Sequence, residues 1–152
     1  MKKIILQLTI LLFATLIVGL VASFFGNTSG ALVTSADVLA GKTGKTVSLA
    51  EAYALNQAGD AGFIDARPRE FYNREHIRSA ISVPYTISAG GDELASLDKQ
   101  KIWVVYCKGP RCNQASILVQ KLDRAGFPNI YLFPGGMEEW RLAQYPMEKS
   151  NP

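Results

Sequence analysis

One stretch near the middle of the chain, residues 102–125, most constrains the fold. The apolar run Ile102–Tyr106 has the composition of a buried β-strand and ends immediately before Cys107. A short Gly-Pro turn follows, and apolar residues then recur at helical spacing over 113–125. The stretch therefore predicts a strand, a short loop and a helix, with Cys107 at the carboxyl end of the strand.

This position makes Cys107 the first candidate for chemistry. Ligands of open α/β sheets bind at the carboxyl ends of strands, and the free N–H groups of a loop and of a first helical turn stabilise an anion there. Because Lys108 and Arg111 add positive charge, this reasoning predicts a lowered thiol pKa and a nucleophilic thiolate. The alternative is a small buried cysteine of the core, which has no need of a cationic turn.

Outside this stretch, short apolar segments alternate with helical ones. Ser48–Glu51 fits a capping box, and the helix that it begins is expected to end by Gly59. Further strands are predicted at 62–65, 80–83 and 130–133, and further helices at 69–75, 92–99 and 137–142. This alternation predicts an α/β fold with a mainly parallel sheet and helices on both of its faces.

The amino-terminal segment is of a different kind. Residues 4–25 carry no charge over 22 residues, which is long enough for a transmembrane helix. Lys2 and Lys3 precede the segment, so the positive-inside rule keeps the amino terminus in the cytoplasm and exports the rest. We therefore expect a single-pass protein of the bacterial inner membrane with a periplasmic domain. The alternative is a cleaved signal segment and a secreted domain.

These segments divide the chain into four parts. Residues 1–25 are the predicted anchor or signal segment, and residues 26–45, rich in Gly, Ser and Thr, are a predicted flexible linker. The folded domain is expected over 46–148, followed by a tail of 149–152. Without the two lysines that precede the anchor, the chain has 14 basic and 13 acidic residues and no basic stripe. Nucleic-acid binding is therefore not expected.

Five short motifs around the cysteine resemble those of a known family. In chain order they are Asp65-Ala66-Arg67, His76-Ile77, Tyr106-Cys107 with its loop, Gly126-Phe127-Pro128-Asn129-Ile130-Tyr131 and Gly135-Gly136-Met137-Glu138-Glu139-Trp140. Each motif is weak alone, but together they resemble a single rhodanese-like domain that spans roughly residues 46–148. The resemblance implies a parallel five-stranded sheet flanked by helices.

The resemblance also implies a sulfurtransferase. In that chemistry, the thiolate of Cys107 takes a sulfane sulfur from thiosulfate or a persulfide and becomes a persulfide itself. It then passes the sulfur to cyanide, to a small thiol or to a protein acceptor. Loop amides would cradle the persulfide, and the residues of this loop are Lys108, Gly109, Pro110, Arg111, Cys112 and Asn113. The resemblance implies neither a metal nor an organic cofactor.

Most other motif residues are expected to be structural. They are Asp65, Arg67, His76, Gly135, Gly136 and Trp140. The aspartate and arginine would form an ion pair or a turn, and the histidine would belong to the scaffold rather than to a Cys-His pair. The glycines would let a loop approach the active site closely, and the tryptophan would line the core or the pocket. Arg111 could either hold an anionic donor or be solvated.

One departure from the family pattern bears on the chemistry. Many relatives have Ser or Thr where this chain has Cys112, and a thiol hydrogen-bonds a persulfide less well than a hydroxyl does. Cys112 could instead act as a resolving thiol that attacks the persulfide, releases sulfide and forms a Cys107–Cys112 disulfide. It could also simply begin the helix, and the sequence leaves these alternatives open.

Other functions compete with sulfur transfer. A cysteine phosphatase or arsenate reductase would need Cys-x5-Arg, but position 113 is Asn. A thiol–disulfide oxidoreductase normally has Cys-x-x-Cys, whereas Cys107 and Cys112 are separated by four residues. A redox protein that uses this pair is therefore a minor alternative. The non-enzymatic alternative is a membrane-tethered binding or sulfur-carrier module that does not turn over small molecules.

Overall fold

A computed structural model of the protein describes residues 46–88 and 91–150. The predicted anchor and the predicted linker lie outside these residues and stay predictions. None of the helices within the described ranges combines the length and the hydropathy that a membrane crossing requires.

The described residues form five helices and six strands. The helices are α1 (Leu49–Ala58), α2 (Arg69–Arg74), α3 (Asp92–Ala95), α4 (Gln114–Arg124) and α5 (Gly136–Leu142). The strands are β1 (Ala61–Asp65), β2 (His76–Ile77), β3 (Ala80–Ser82), β4 (Ile102–Tyr106), β5 (Ile130–Phe133) and β6 (Met147–Glu148).

The main sheet has parallel strands in the order β3-β1-β4-β5. Its central strands β1 and β4 are buried almost throughout, as expected for parallel strands that helices cover on both faces. The expectation of five strands is not met, because the described residues contribute four. Beside β5, Thr46 makes only an isolated parallel bridge to Leu132, and the capping box at Ser48 then turns the chain into α1.

Helices cover both faces of this sheet, which confirms the predicted layers. On one face, α1 and α5 pack with alternate strand residues, and their buried side chains include Leu55, Phe63, Tyr106, Met137 and Trp140. On the other face, α4 packs its buried stripe against the remaining strand residues, which include Ile64, Val105, Ala115, Leu118 and Leu122. The alternation of the strand side chains therefore supplies two separate cores.

Two features of the fold differ from the sequence-based expectations. The helix expected over 92–99 is only α3, because the chain turns at Asp98, whose carboxylate accepts from the Gln100 N–H at 2.8 Å. In addition, β2 and β6 form a small antiparallel pair that the sequence analysis missed. Two-residue strands carry too few side chains to produce a recognisable alternation.

Candidate active site

The loop that follows β4 is held at both ends by regular structure. Cys107 comes directly after the buried strand, and Asn113 is the N-cap residue of α4. Strand register places Asp65, the last residue of β1, beside Tyr106. The structure thus puts the loop of 107–113 where the sequence predicted it, at the carboxyl edge of the sheet.

The first turn of α5 closes this loop from above. The Met137 and Glu138 N–H groups donate to the carbonyl groups of Cys107 and Lys108 at 3.0 and 2.9 Å. Gly136 makes this approach feasible, since its φ is +55° and a Cβ there would overlap the Cys107 carbonyl and lie 2.9 Å from the Gly109 nitrogen. The structure therefore places Gly136 against the cysteine loop.

We expect Gly136→Ala to lower the free energy of unfolding by more than about 2 kcal/mol, because it adds left-handed strain and a clash with the loop backbone. The matched control is Gly126→Ala, where φ is +82° but a Cβ would meet nothing within 4 Å. Urea unfolding of both variants separates strain from contact. Equal losses for the two variants would show that the contact with the loop contributes nothing.

The sulfur of Cys107 lies beneath the loop rather than on its surface. The residue is 3% exposed, and its Sγ donates to the carbonyl oxygen of Cys112 at 3.3 Å. The backbone N–H groups of Ala115 and Gly109 are directed at the sulfur and lower its pKa. These two amides are the start of an anion cradle that combines the loop with the first turn of α4.

The expected lowering of the Cys107 pKa is wrong for this structure. Burial, followed by the neighbouring side chain of Cys112, raises the pKa of the Cys107 thiol to about 11, and the two amides offset only part of this. The loop cations point elsewhere. Lys108 is largely exposed with its Nζ 3.9 Å from a carboxylate oxygen of Glu138, and Arg111 is exposed. Burial therefore raises the pKa of Cys107 by more than the helix and the loop cations lower it.

Cys112 occupies a different environment from Cys107. It is partly exposed, and its N–H donates to the Gly109 carbonyl at 2.9 Å, which closes a turn over the buried sulfur. Its own thiol donates to the side-chain carbonyl oxygen of Gln114 at 3.5 Å. Both cysteines are free thiols.

Cys112 lines two of the cavities beside the loop. The larger is a groove of about 380 Å³ between α2, the loop and α5. Its lining includes Phe71, Arg74, Lys108, Cys112, Glu138 and Arg141. The smaller cavity, of about 150 Å³, is lined by Lys108, Gly109, Arg111, Cys112 and Glu138. Mixed cationic and apolar walls of this kind suit small anions or thiols rather than long apolar ligands.

Asp65 and Arg67 form a buried ion pair below the groove. The Arg67 Nη2 lies 2.6 Å from the Asp65 Oδ2, with the two side chains 7% and 0% exposed. Burial acts to lower the pKa of Arg67, but the hydrogen bonds and charge of Asp65 raise it above its usual value. The same guanidinium donates to the Glu75 carbonyl at 2.7 Å. The pair thereby ties the end of β1 to the end of α2.

His76 lies in the scaffold. Its ring stacks on Tyr72 with centroids 3.9 Å apart, and its Nδ1 is 2.9 Å from the Tyr72 carbonyl oxygen. The hydroxyl of Tyr106 accepts from the Ile77 N–H at 3.1 Å, which links β2 to the end of β4. Burial raises the pKa of Tyr106 well above its usual value, so the hydroxyl keeps its proton.

Trp140 lies in the core as expected, whereas Gly135 does not make the expected close approach to the cysteine loop, since a Cβ there would meet the Glu139 side chain. Trp140 is fully buried in the core below α5, and its Nε1 donates to the Pro146 carbonyl at 3.1 Å. The carbonyl of Gly135 accepts from the Glu139 N–H at 3.2 Å and begins the last helix. Both residues support the position of α5 above the cysteine loop.

The groove wall formed by α2 was not predicted from the sequence. Phe71 is 44% exposed, and the Arg74 guanidinium lies 5.6 Å from its ring centroid. The only local signal was a pair of adjacent aromatic residues, Phe71 and Tyr72, on an otherwise polar helix, and only the tertiary fold places Phe71 beside the loop. In the described part of the chain, no group of three or more His, Cys, Asp or Glu residues is arranged to hold a metal ion.

The fold and the site define a class: a parallel α/β domain that presents one cysteine on a loop at the carboxyl end of a central strand. A family model described as the rhodanese-like domain matches residues 48–143. The chain belongs to the rhodanese-like family, which confirms the resemblance drawn from the five motifs.

Individual relatives carry different names. The chain is 36% identical over 120 residues to the HTH-type transcriptional regulator Rv0324 of Mycobacterium tuberculosis, a match that covers 79% of this chain and 51% of that protein. The chain thus spans about half the length of this relative. It is also 32% identical over 107 residues to the thiosulfate sulfurtransferase GlpE of Coxiella burnetii, covering 70% of this chain and 95% of that protein.

Solved structures agree with the fold. The crystal structure of the BH2092 protein of Bacillus halodurans superposes with a TM-score of 0.64 at 30% identity, covering 69% of this chain and 77% of that one. The rhodanese-like domain of the Alr3790 protein of Anabaena, solved by NMR, gives a TM-score of 0.62 at 26% identity, with 70% and 80% covered. Fold alone does not select among the relatives' activities, so the site has to carry the functional argument.

Proposed function

We propose that the protein is a sulfurtransferase that moves sulfane sulfur from a donor such as thiosulfate to cyanide or a thiol through a persulfide on Cys107. The observation that carries this proposal is the cysteine at the end of β4 with the Gly109 and Ala115 N–H groups directed at its sulfur. A relative named as a thiosulfate sulfurtransferase, which this chain covers almost completely, supports it at family level.

The first step forms one sulfur–sulfur bond and breaks another. The Cys107 thiolate attacks the sulfane sulfur of thiosulfate, and sulfite leaves with the electron pair of the broken bond. The product is a persulfide, whose outer sulfur carries the negative charge. In the second step, an acceptor attacks this outer sulfur and restores the thiolate. Loop amides stabilise the anion in both steps and require no metal.

The size of the cradle favours a single sulfur atom over a phosphate. A phosphate loop would use an arginine at position 113 to clamp two oxygens, but Asn113 is exposed and caps α4. The amides of Gly109 and Ala115 are directed at the single sulfur atom of Cys107. We therefore do not favour a phosphatase.

The test measures both halves of the reaction on the full chain. Thiosulfate alone should release a burst of one sulfite per chain, and added cyanide should turn over to thiocyanate. A burst without turnover would favour a sulfur-carrier or binding module, since such a module loads sulfur but does not serve a small acceptor. The absence of a burst would contradict transfer from thiosulfate.

Arg111 is proposed to hold the anionic donor. It is exposed and lines the small cavity beside the cysteine loop, and no carboxylate of the described residues lies within ion-pair distance of it. We expect Arg111→Gln to raise the KM for thiosulfate about fivefold to tenfold, because a charge-assisted contact is lost. Steady-state kinetics measure the KM for thiosulfate, and Arg124→Gln on α4 is the matched control. Equal KM values for the two variants would leave Arg111 as a solvated side chain.

The raised thiol pKa predicts a strong pH dependence. Only the thiolate attacks, so below the Cys107 pKa of about 11 the rate of the sulfite burst should rise about tenfold per pH unit. Stopped-flow measurements of the sulfite burst rate between neutral and strongly alkaline pH test this prediction. A rate that levels off near neutral pH would mean that the thiolate is stabilised more than burial opposes it, as the loop cations first suggested.

The proposal extends to location. Residues 4–25 anchor the chain in the bacterial inner membrane, with the amino terminus in the cytoplasm and the domain in the periplasm. Support comes from the 22 uncharged residues and the lysines before them. Protease added to spheroplasts should digest the domain, while the chain should sediment with membranes. A soluble periplasmic chain that lacks the segment would instead indicate cleavage and secretion.

A further inference from the structure

The second cysteine of the loop is placed between the buried sulfur and the solvent. Cys107 is 3% exposed and lines neither of the two cavities that Cys112 lines. Cys112 is partly exposed and lines both. A thiol that enters from either cavity therefore meets Cys112 before it reaches Cys107.

The two cysteines are also in contact across the loop. The Cys107 Sγ lies 3.3 Å from the Cys112 carbonyl oxygen, and the turn closed by the Cys112 N–H and the Gly109 carbonyl fixes this approach. The thiol side chains interact as well, since Cys112 contributes to the raised pKa of Cys107. The Cys112 thiol also makes a weak 3.5 Å contact to the Gln114 side chain, which a side-chain rotation towards Cys107 would break.

We propose that Cys112 resolves the persulfide on Cys107 and thereby gives the protein a second activity, the release of sulfide. This inference rests on the proposed sulfur transfer, because it needs the persulfide. The Cys112 thiolate attacks the inner sulfur, which is the Sγ of Cys107. The bond between the inner and outer sulfur breaks, and the outer sulfur leaves as hydrosulfide with the electron pair of that bond. The proton that the Cys112 thiol gives up ends on the departing sulfur, which therefore leaves as hydrosulfide.

This step needs no external oxidant. The sulfane sulfur is reduced to sulfide, and the two cysteines are oxidised together to a Cys107–Cys112 disulfide. An external dithiol then reduces the disulfide and returns both thiols. The net reaction converts thiosulfate and a dithiol into sulfite, sulfide and a cyclic disulfide. With neither a dithiol nor a faster acceptor such as cyanide, the chain stops after one turnover as the disulfide.

Attack at the inner sulfur fits the cradle better than attack at the outer one. The Gly109 and Ala115 amides are directed at the Cys107 sulfur, so we expect them to stabilise the charged outer sulfur of the persulfide. The backbone carbonyl of Cys112 already accepts from the Cys107 Sγ, which brings Cys112 against the inner sulfur. The outer sulfur takes the proton that the Cys112 thiol gives up, so it leaves as hydrosulfide rather than as the far more basic sulfide dianion.

The experiment treats the reduced full chain with thiosulfate in the absence of any external thiol. Sulfite is measured as the product of the first step, sulfide as the product of the second, and intact mass after alkylation reports the state of the cysteines. The native chain should release equal amounts of sulfite and sulfide and lose two hydrogens, with no thiol left to alkylate. Cys112→Ser should release sulfite, retain one added sulfur atom and release sulfide at least about tenfold more slowly.

Cys112→Ala serves as a second variant, because a serine hydroxyl could itself hydrogen-bond the persulfide. Both variants should accumulate the persulfide. A native chain that releases sulfite but keeps its added sulfur, or that releases sulfide no faster than both variants, overturns the inference and leaves the proposed function intact. A lack of sulfite from all three chains contradicts the proposed function itself.

Discussion

Cys107→Ser is expected to lower thiosulfate:cyanide sulfur transfer by at least about a thousandfold. A hydroxyl is far less acidic and less nucleophilic than a thiol, and it cannot form a persulfide. The substitution is nearly the same size as the original side chain, and the cysteine lies at the end of a buried strand. The loss should therefore appear in turnover rather than in stability.

Thiocyanate formation by the full chain is the primary measurement, and urea unfolding of the same samples checks the fold. Cys112→Ser is the informative comparison, because it removes the other loop thiol and leaves Cys107 in its cradle. If Cys112→Ser lost its sulfite burst and Cys107→Ser kept it, Cys112 rather than Cys107 would be the residue that carries the sulfur. A Cys107→Ser chain that turns over normally would refute the persulfide mechanism.

Local sequence patterns predicted most of the fold because its elements are locally consistent. Strand β4 and strand β5 were predicted to the residue, since continuous apolar runs bounded by turn residues leave little choice. The capping box at Ser48 and the left-handed Gly59 fixed both ends of α1. The pair of β2 and β6 was missed because its pairing joins segments about seventy residues apart.

The site was predictable in position but not in its electrostatics. A strand, a loop and a helix place Cys107 correctly because backbone geometry is local. The direction of its pKa shift was wrong because burial depends on how the Cys107 side chain packs in the core on the α4 face of the sheet, which local sequence patterns do not reveal. The same holds for Phe71 and Arg74, since only the packing of α2 brings them to the groove.

The raised pKa and the second cysteine bear on each other. A buried thiol with a pKa of about 11 is mostly protonated at neutral pH, so it is protected from adventitious oxidation. An anionic donor that enters the cradle meets the same amides that stabilise the thiolate. In the resolution step that we propose, Cys112 at the cavity wall would then limit how long the persulfide persists. Burial would protect the resting thiol, and the second thiol would control the loaded one.

Asp65→Asn is expected to lower the free energy of unfolding by about 3–5 kcal/mol, the largest stability loss that we predict. The substitution conserves size but leaves the buried Arg67 guanidinium without its carboxylate. Arg67 also donates to the carbonyl groups of Phe71 and Glu75, so its displacement would loosen α2 along the groove. Sulfur transfer to thiols should therefore fall together with stability.

A surface ion pair supplies the matched control for this prediction. Arg69 and Glu93 lie 3.8 Å apart with side chains 63% and 51% exposed, so Glu93→Gln should cost less than about 1 kcal/mol. Urea unfolding of both variants gives the comparison. The double variant Asp65→Asn with Arg67→Met should recover part of the loss, because it removes the uncompensated charge as well. Should Asp65→Asn unfold like Glu93→Gln, the buried pair would not be what ties β1 to α2.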